Sequence, residues 1–271
     1  MTAEVVLRGE STPASKLVRE VWDARPLLGM LARKDFFVRY RRASFGLLWA
    51  VALPLFQAAI LALVLSRVVK IHTPVNYAVF VFAGMAVWAY FAASLQTAST
   101  AIVDGSDLST KIYFPRAVLP LVPVISTGYG LVLSVVVLLV MAMAVGAPLG
   151  TNLLLLPPAV VLAGALTASL ALVLAALHVY FRDVRYLVQA ALLAWFYVTP
   201  VFYPLQLARG LAPWIRANPV TGAVELMRAA TVGADPGWLP AVWWSLGWTA
   251  ALLVVALALH RRYDRVFVDL L

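Results

Sequence analysis

Cysteine is absent from this 271-residue chain, which excludes disulfides, thiol nucleophiles and Cys-ligated metal. Charge is scarce too. Asp, Glu, Lys and Arg make up 12% of residues, roughly half the share a soluble domain carries. No G-x-x-x-x-G-K-[ST] phosphate loop occurs, so the chain does not bind and hydrolyse ATP by that route. No H-E-x-x-H or other metal-ligand cluster occurs either. The histidines, His72, His178 and His260, stand alone at the ends of apolar runs and read as interfacial packing.

What the chain does have is grease, with 63% hydrophobic residues. Five stretches lack Asp, Glu, Lys and Arg altogether: 43–66, 71–103, 117–181, 186–208 and 236–259. A helix rises about 1.5 Å per residue and a bilayer core is about 30 Å thick, so each stretch can cross a membrane. The third is long enough to cross twice, and Gly146-Ala-Pro-Leu-Gly-Thr-Asn152 interrupts it as a tight turn. The expected fold is therefore all-α integral membrane, with six transmembrane helices at about 44–67, 77–103, 117–145, 153–179, 186–204 and 240–260. Residues 1–43 form a cytoplasmic tail and interface helix, and 261–271 a second tail. The polar start and the length of the first apolar run argue against a cleavable signal peptide.

A net charge of +9 would point to nucleic acid in a soluble protein; here its distribution points to topology. With the N-terminus cytoplasmic, sixteen of the 21 Lys and Arg fall inside, and the opposite orientation reverses the bias. Both termini are thus expected in the cytoplasm. Between Lys16 and Arg42, Leu17, Val21, Leu27, Leu31 and Val38 recur at helical spacing among basic residues, which predicts an amphipathic helix on the inner membrane surface. A solvated basic helix serving topology alone has the same pattern.

Two loops stand out. Residues 104–116, Asp-Gly-Ser-Asp-Leu-Ser-Thr-Lys-Ile-Tyr-Phe-Pro-Arg, predict one or two cytoplasmic turns presenting Leu108, Ile112 and Tyr113 together. Residues 205–239 are apolar yet too broken to span. Within them Asn218-Pro219 reads as a cap with Pro at the first helical position, and Gly233 as a C-terminal cap. The short helix between pairs Glu225 with Arg228 at i, i+3. Trp214 and Ile215 ahead of it predict re-entry into the membrane interface, which demands burial in protein or a cavity.

Apart from Arg67 at the very end of the first, the spans as drawn hold no Asp, Glu, Lys or Arg that could relay protons or coordinate an ion. Such a bundle draws energy from a partner or runs downhill. Four blocks in register carry a resemblance that chooses between these: Arg39-Tyr-Arg-Arg-Ala-Ser-Phe-Gly-Leu-Leu-Trp49 with Pro54; Lys111-Ile-Tyr-Phe-Pro-Arg-Ala-Val-Leu-Pro120; Phe181-Arg-Asp-Val-Arg185 with Thr199-Pro-Val-Phe-Tyr-Pro204; and Asn218-Pro-Val-Thr-Gly-Ala-Val-Glu-Leu-Met-Arg228. From about residue 16 onward the chain resembles ABC-2 type transporter permeases, in particular those exporting O-antigen, teichoic acid and related cell-wall polysaccharides.

The resemblance implies a transport subunit without its own ATPase site. It implies a homodimer of permeases with two copies of an ATP-binding subunit, which holds ATP and Mg, and an undecaprenyl diphosphate-linked glycan as cargo. Carried over by position, Asp104, Ser106, Leu108, Lys111, Ile112, Tyr113 and Phe114 look like a coupling helix that docks the ATPase. Trp214, Asn218, Pro219, Glu225 and Arg228 look like an outer gate.

Sugar chemistry fits. The C–H faces of sugars stack on aromatic rings, and Trp88, Tyr90, Phe91, Tyr129, Trp195, Tyr197, Phe202 and Tyr203 gather around spans two, three and five. For any single ring, an interfacial belt or helix packing is the favoured reading. Arg39, Arg41, Arg42 and Arg116 near the inner leaflet are cations for a diphosphate head group, and they also serve topology. An ABC-2 permease for a drug or small lipid shares this architecture. An ion-coupled secondary transporter is the rival of a different class.

Overall fold

The computed structural model describes residues 14–41, 44–69, 76–106, 114–147, 149–233 and 238–263, and all regular structure among them is helical. Two helices, α1 (Ala14–Asp23) and α2 (Arg25–Tyr40), stand where one continuous interface helix was expected. Pro26 is the reason. It has no N–H to give the Trp22 carbonyl four residues back, and its ring crowds that group. The Arg25 guanidinium takes the freed carbonyl instead, at 3.2 Å, and lies over the Trp22 ring.

The buried stripe of α2 is Leu28, Ala32 and Phe36, packed on α6 (Val118–Ala144). Leu27 and Leu31 are half-buried and Val38 is exposed, so the inward face is phased one residue later than the sequence pattern indicated.

A 3-10 turn, Gly46–Leu48, leads into α3 (Trp49–Val64), which carries buried Pro54. The next helix, α4 (Tyr77–Ala98), starts under Asn76, whose side-chain oxygen accepts from the Ala78 N–H at 3.0 Å. Every position from Val79 to Trp88 is buried, because α4 is enclosed by α3, α6, α7 (Leu156–Tyr180) and a short helix near the C-terminal end. Between α4 and α6 lies only a single turn, α5 (Ala101–Asp104), in the described part. Gly146, at φ +69°, reverses the chain between α6 and α7 as expected. The remaining helices are α8 (Val184–Val198), α9 (Ala212–Ala217), α10 (Thr221–Thr231) and α11 (Trp238–Tyr263).

Among the described residues five helical stretches are long and apolar enough to cross a membrane: Gly46–Arg67, Tyr77–Ala98, Val118–Ala144, Thr151–Tyr180 and Trp238–Arg261. The fifth expected span, 186–204, is different. Its 15-residue helix α8 rises about 22 Å, short of a 30 Å core. Thr199 precedes Pro200 and is forced extended (φ −86°, ψ 134°), while Pro200 has no N–H to continue the ladder. A bend and a 3-10 turn, Leu205–Leu211, follow.

Candidate transport path and outer gate

The residues after α8 return through the bundle to α10. All eleven residues of that helix are buried, against α4, α7 and α11. An 11-residue helix carrying Glu225 and Arg228 in such a place must satisfy both charges locally. It does. The Arg228 Nη1 donates to Glu225 Oε1 at 2.7 Å, and both side chains are almost fully buried. Its Nη2 donates to the Val201 carbonyl at 2.6 Å, in the bend beyond Pro200 where no helical N–H is available. Its Nε reaches the Phe80 carbonyl at 3.4 Å, and the guanidinium lies 3.6 Å from the centre of the Phe80 ring. One arginine therefore joins α4, the bend and α10.

Gly84 makes the approach possible. A Cβ there would stand 2.5 Å from the Val201 oxygen and 3.0 Å from Arg228 Nη2. Beside this knot Tyr203 donates to the carbonyls of Tyr197 and Val198, both at 3.2 Å.

Two further knots hold the segment. The Asn218 Oδ1 accepts from Trp195 Nε1 at 2.9 Å and from the Val220 N–H at 3.1 Å, while its Nδ2 donates to Thr199 Oγ1 at 3.0 Å. It caps the turn into α10 and ties it to the end of α8. On the other side Ser245 of α11 accepts from the Gly222 N–H at 3.0 Å and donates to the Pro219 carbonyl at 2.5 Å. Trp248 Nε1 donates to the Ala217 carbonyl at 2.8 Å. Gly233, at φ +106°, ends α10 with its N–H on the Arg228 carbonyl. Trp214, in contrast, is 77% exposed on α9 and joins none of these knots.

The aromatic residues separate into two groups. A chain of ring contacts runs from Trp195 through Phe91, Trp88, Phe196 and Phe202 to Tyr203, with successive centroids 5.2–5.7 Å apart. Tyr197 joins it at Phe196 and is itself 62% exposed. Tyr90 and Tyr129 lie elsewhere. Tyr129 packs edge-on against Phe36 of α2, and buried Tyr90 sits with Ser94 and Thr167, Ser94 also bonding Thr127 at 2.5 Å. Phe196, at the centre of the chain, was missed from the sequence set; it is flanked by two residues that were not. Phe80, Gly84 and Val201 were missed as well. A lone glycine within an apolar span was the one readable sign among them.

The basic cluster also divides. Arg39 pairs with Asp35 at 3.0 Å, and the same Asp35 oxygen accepts from Ser126 of α6 at 2.6 Å. Arg41 is exposed at the end of α2, and Arg116 is half-buried just before α6. Arg42 lies outside the described residues, as do Leu108, Lys111, Ile112 and Tyr113. At the flanks of that segment Asp104 is exposed, Ser106 half-buried and Phe114 buried. Arg39 lines a cleft of about 860 Å³ between α2, the end of α4, α5, α6 and the start of α8.

Comparison with known proteins places this architecture. A family profile described as ABC-2 type transporter matches residues 26–232, from the start of α2 to the end of the buried helix. An O-antigen export system permease protein, RfbA, of Myxococcus xanthus is 36% identical over 190 residues, covering 70% of this chain and 73% of that protein. Two proteins of the same name from Klebsiella pneumoniae are 27% and 28% identical over 200 residues, each covering 73% of this chain and 77% of theirs. With five membrane-length helices and a match over most of its length, this multi-pass membrane chain belongs to the ABC-2 type transporter family.

Proposed function

We propose that this chain is the membrane-spanning subunit of an ATP-binding cassette exporter that moves a lipid-linked polysaccharide across the cytoplasmic membrane. The observation that carries the reading is the 36% identity over 190 residues to a permease named for O-antigen export. In this reading the chain crosses the membrane six times, α8 completing its crossing through the bend at Pro200, with both termini cytoplasmic. The segment from α9 to α10 is the re-entrant outer gate. Two permease chains assemble with two ATP-binding subunits, and those subunits hold the nucleotide and Mg.

The geometry supports sugar transport in particular. Within this chain of rings Trp88 and Phe91 are buried in the core and act as backing, while half-buried Trp195, Phe196, Phe202 and Tyr203 and exposed Tyr197 are the rings on which a sugar could stack. The charged pair nearest to them, Glu225 and Arg228, is engaged with itself and with backbone carbonyls. That arrangement suits a structural brace better than an ion-coupling site.

Reconstitution with the ATP-binding subunit tests the proposal. An undecaprenyl-linked glycan should become accessible on the far side of vesicles only with hydrolysable ATP. Equal transport by the permease alone, without nucleotide, would end this reading.

A further inference from the structure

We infer that the groove between the outer face of α2 and the turn opening the first span is a binding site for one anionic phospholipid of the inner leaflet. Lys34 and Arg41 hold its phosphate. The occupant is a resident lipid that ties the surface helix to the bilayer, not a transported molecule. The inference shares with the export reading only the cytoplasmic placement of α2.

The groove holds about 480 Å³, within the roughly 300–1,000 Å³ usual for small-molecule sites. Lys34, Phe37, Val38 and Arg41 line it at i, i+3, i+4 and i+7, which is one helical face. That face lies opposite the buried stripe of Leu28, Ala32 and Phe36, so the groove looks out of the bundle. Gly46 forms the other wall. Its φ of +50° costs a glycine little and turns the chain back, so that Leu47 joins the same groove. Gly46 is also the first residue of the first membrane-length stretch, which sets the groove at head-group depth.

Charge decides the occupant. Lys34 and Arg41 are exposed and have no ion-pair partner among the described residues. No acidic residue lines the groove among the described residues, because Asp35 is turned to α6, where it meets Ser126 and Arg39. Two cations without a carboxylate attract a phosphate and repel the ammonium of a zwitterionic lipid. Arg41 can take two phosphate oxygens at once, while Lys34 lays its carbon stem along the groove.

Hydrocarbon completes the match. Phe37, Val38 and Leu47 leave large apolar surfaces open between the cations, and an acyl chain covers such carbon where water does not. Leu53, Phe56 and Ile60 continue as an exposed apolar row along α3, a track for the rest of the chain. A lipid-linked glycan fits less well. Tyr40 brings the one hydroxyl among the lining residues, and no amide is there to meet a sugar.

The chain has no cysteine, so a single thiol can be labelled at Phe45, which is 64% exposed next to the groove. Full-length F45C permease carrying a fluorophore there is placed in phosphatidylcholine nanodiscs with graded amounts of a doxyl-labelled quencher lipid. Half-quenching should need roughly threefold less phosphatidylglycerol than phosphatidylethanolamine. K34Q/R41Q should erase that preference, and the charge-conserving K34R/R41K should keep it. R19Q/R182Q, which removes two exposed cations elsewhere, should leave it intact. A preference that survives K34Q/R41Q, or is lost equally in R19Q/R182Q, reduces the effect to general attraction to an anionic surface and overturns the inference. Farnesyl diphosphate relieving the quenching at a lower mole fraction than unlabelled phosphatidylglycerol would make the groove a cargo contact and overturn it too. A wild-type permease without the preference that still exports glycan with ATP loses the lipid site and keeps the export reading. One with the preference that does not export does the reverse.

Discussion

Arg228 shows how much of a membrane protein can hang on one side chain. Its pairing with Glu225 was legible, because i, i+3 spacing on a short helix puts the two on one face. Its other partners were not, since the carbonyls of Phe80 and Val201 are brought to it by chain folding over 148 and 27 positions. Arg228→Met should lower unfolding free energy by about 3–5 kcal/mol, because Glu225 is then left as a buried charge without its cation. The double variant E225L/R228M should recover part of that loss, since both charges are gone. Thermal unfolding in detergent, followed by tryptophan fluorescence, reads both; a double variant less stable than R228M would contradict the account. Gly84→Ala should be similarly severe, as its Cβ would collide with the Val201 backbone.

At the scale of the element, the apolar runs located every long helix to within a few residues, because a charge-free run of membrane length has few other fates. Proline set the exceptions. Pro26 split the surface helix, and Pro200 stopped α8 well short of the expected end. Both residues were visible, but whether a proline kinks or breaks a helix depends on who takes the freed carbonyl. At Trp22 a local arginine does so. The phase of α2 was misread for a related reason: at Ala32, a small residue fully buried against α6, close helix packing decided the face rather than hydrophobicity. Asp35→Asn removes the charge in the link from α2 to Arg39 and Ser126, and should cost about 1–2 kcal/mol by the same unfolding assay. The docking assignment is tested on its own element: L108D/I112D should insert normally yet fail to stimulate the partner's ATPase activity.

For the whole molecule, sequence reading captured the class of machine but not its internal bracing. Four sequence blocks and five apolar runs point to one permease architecture, whereas the three knots around α10 depend on residues far apart in the chain, such as Ser245 and Pro219. Gly222, which meets Ser245 and Ala241 so closely that a Cβ would overlap both, ties α10 to the final long helix. That dependence has a consequence for biosynthesis. In the chain α10 precedes α11, so it emerges from the ribosome first, and an 11-residue segment with two charges has no stable home in lipid on its own. It has to wait at the bilayer surface for the last helix to arrive. A released chain truncated before residue 238 should therefore leave a thiol placed at position 224 open to water-soluble maleimides, and the full chain should shield it.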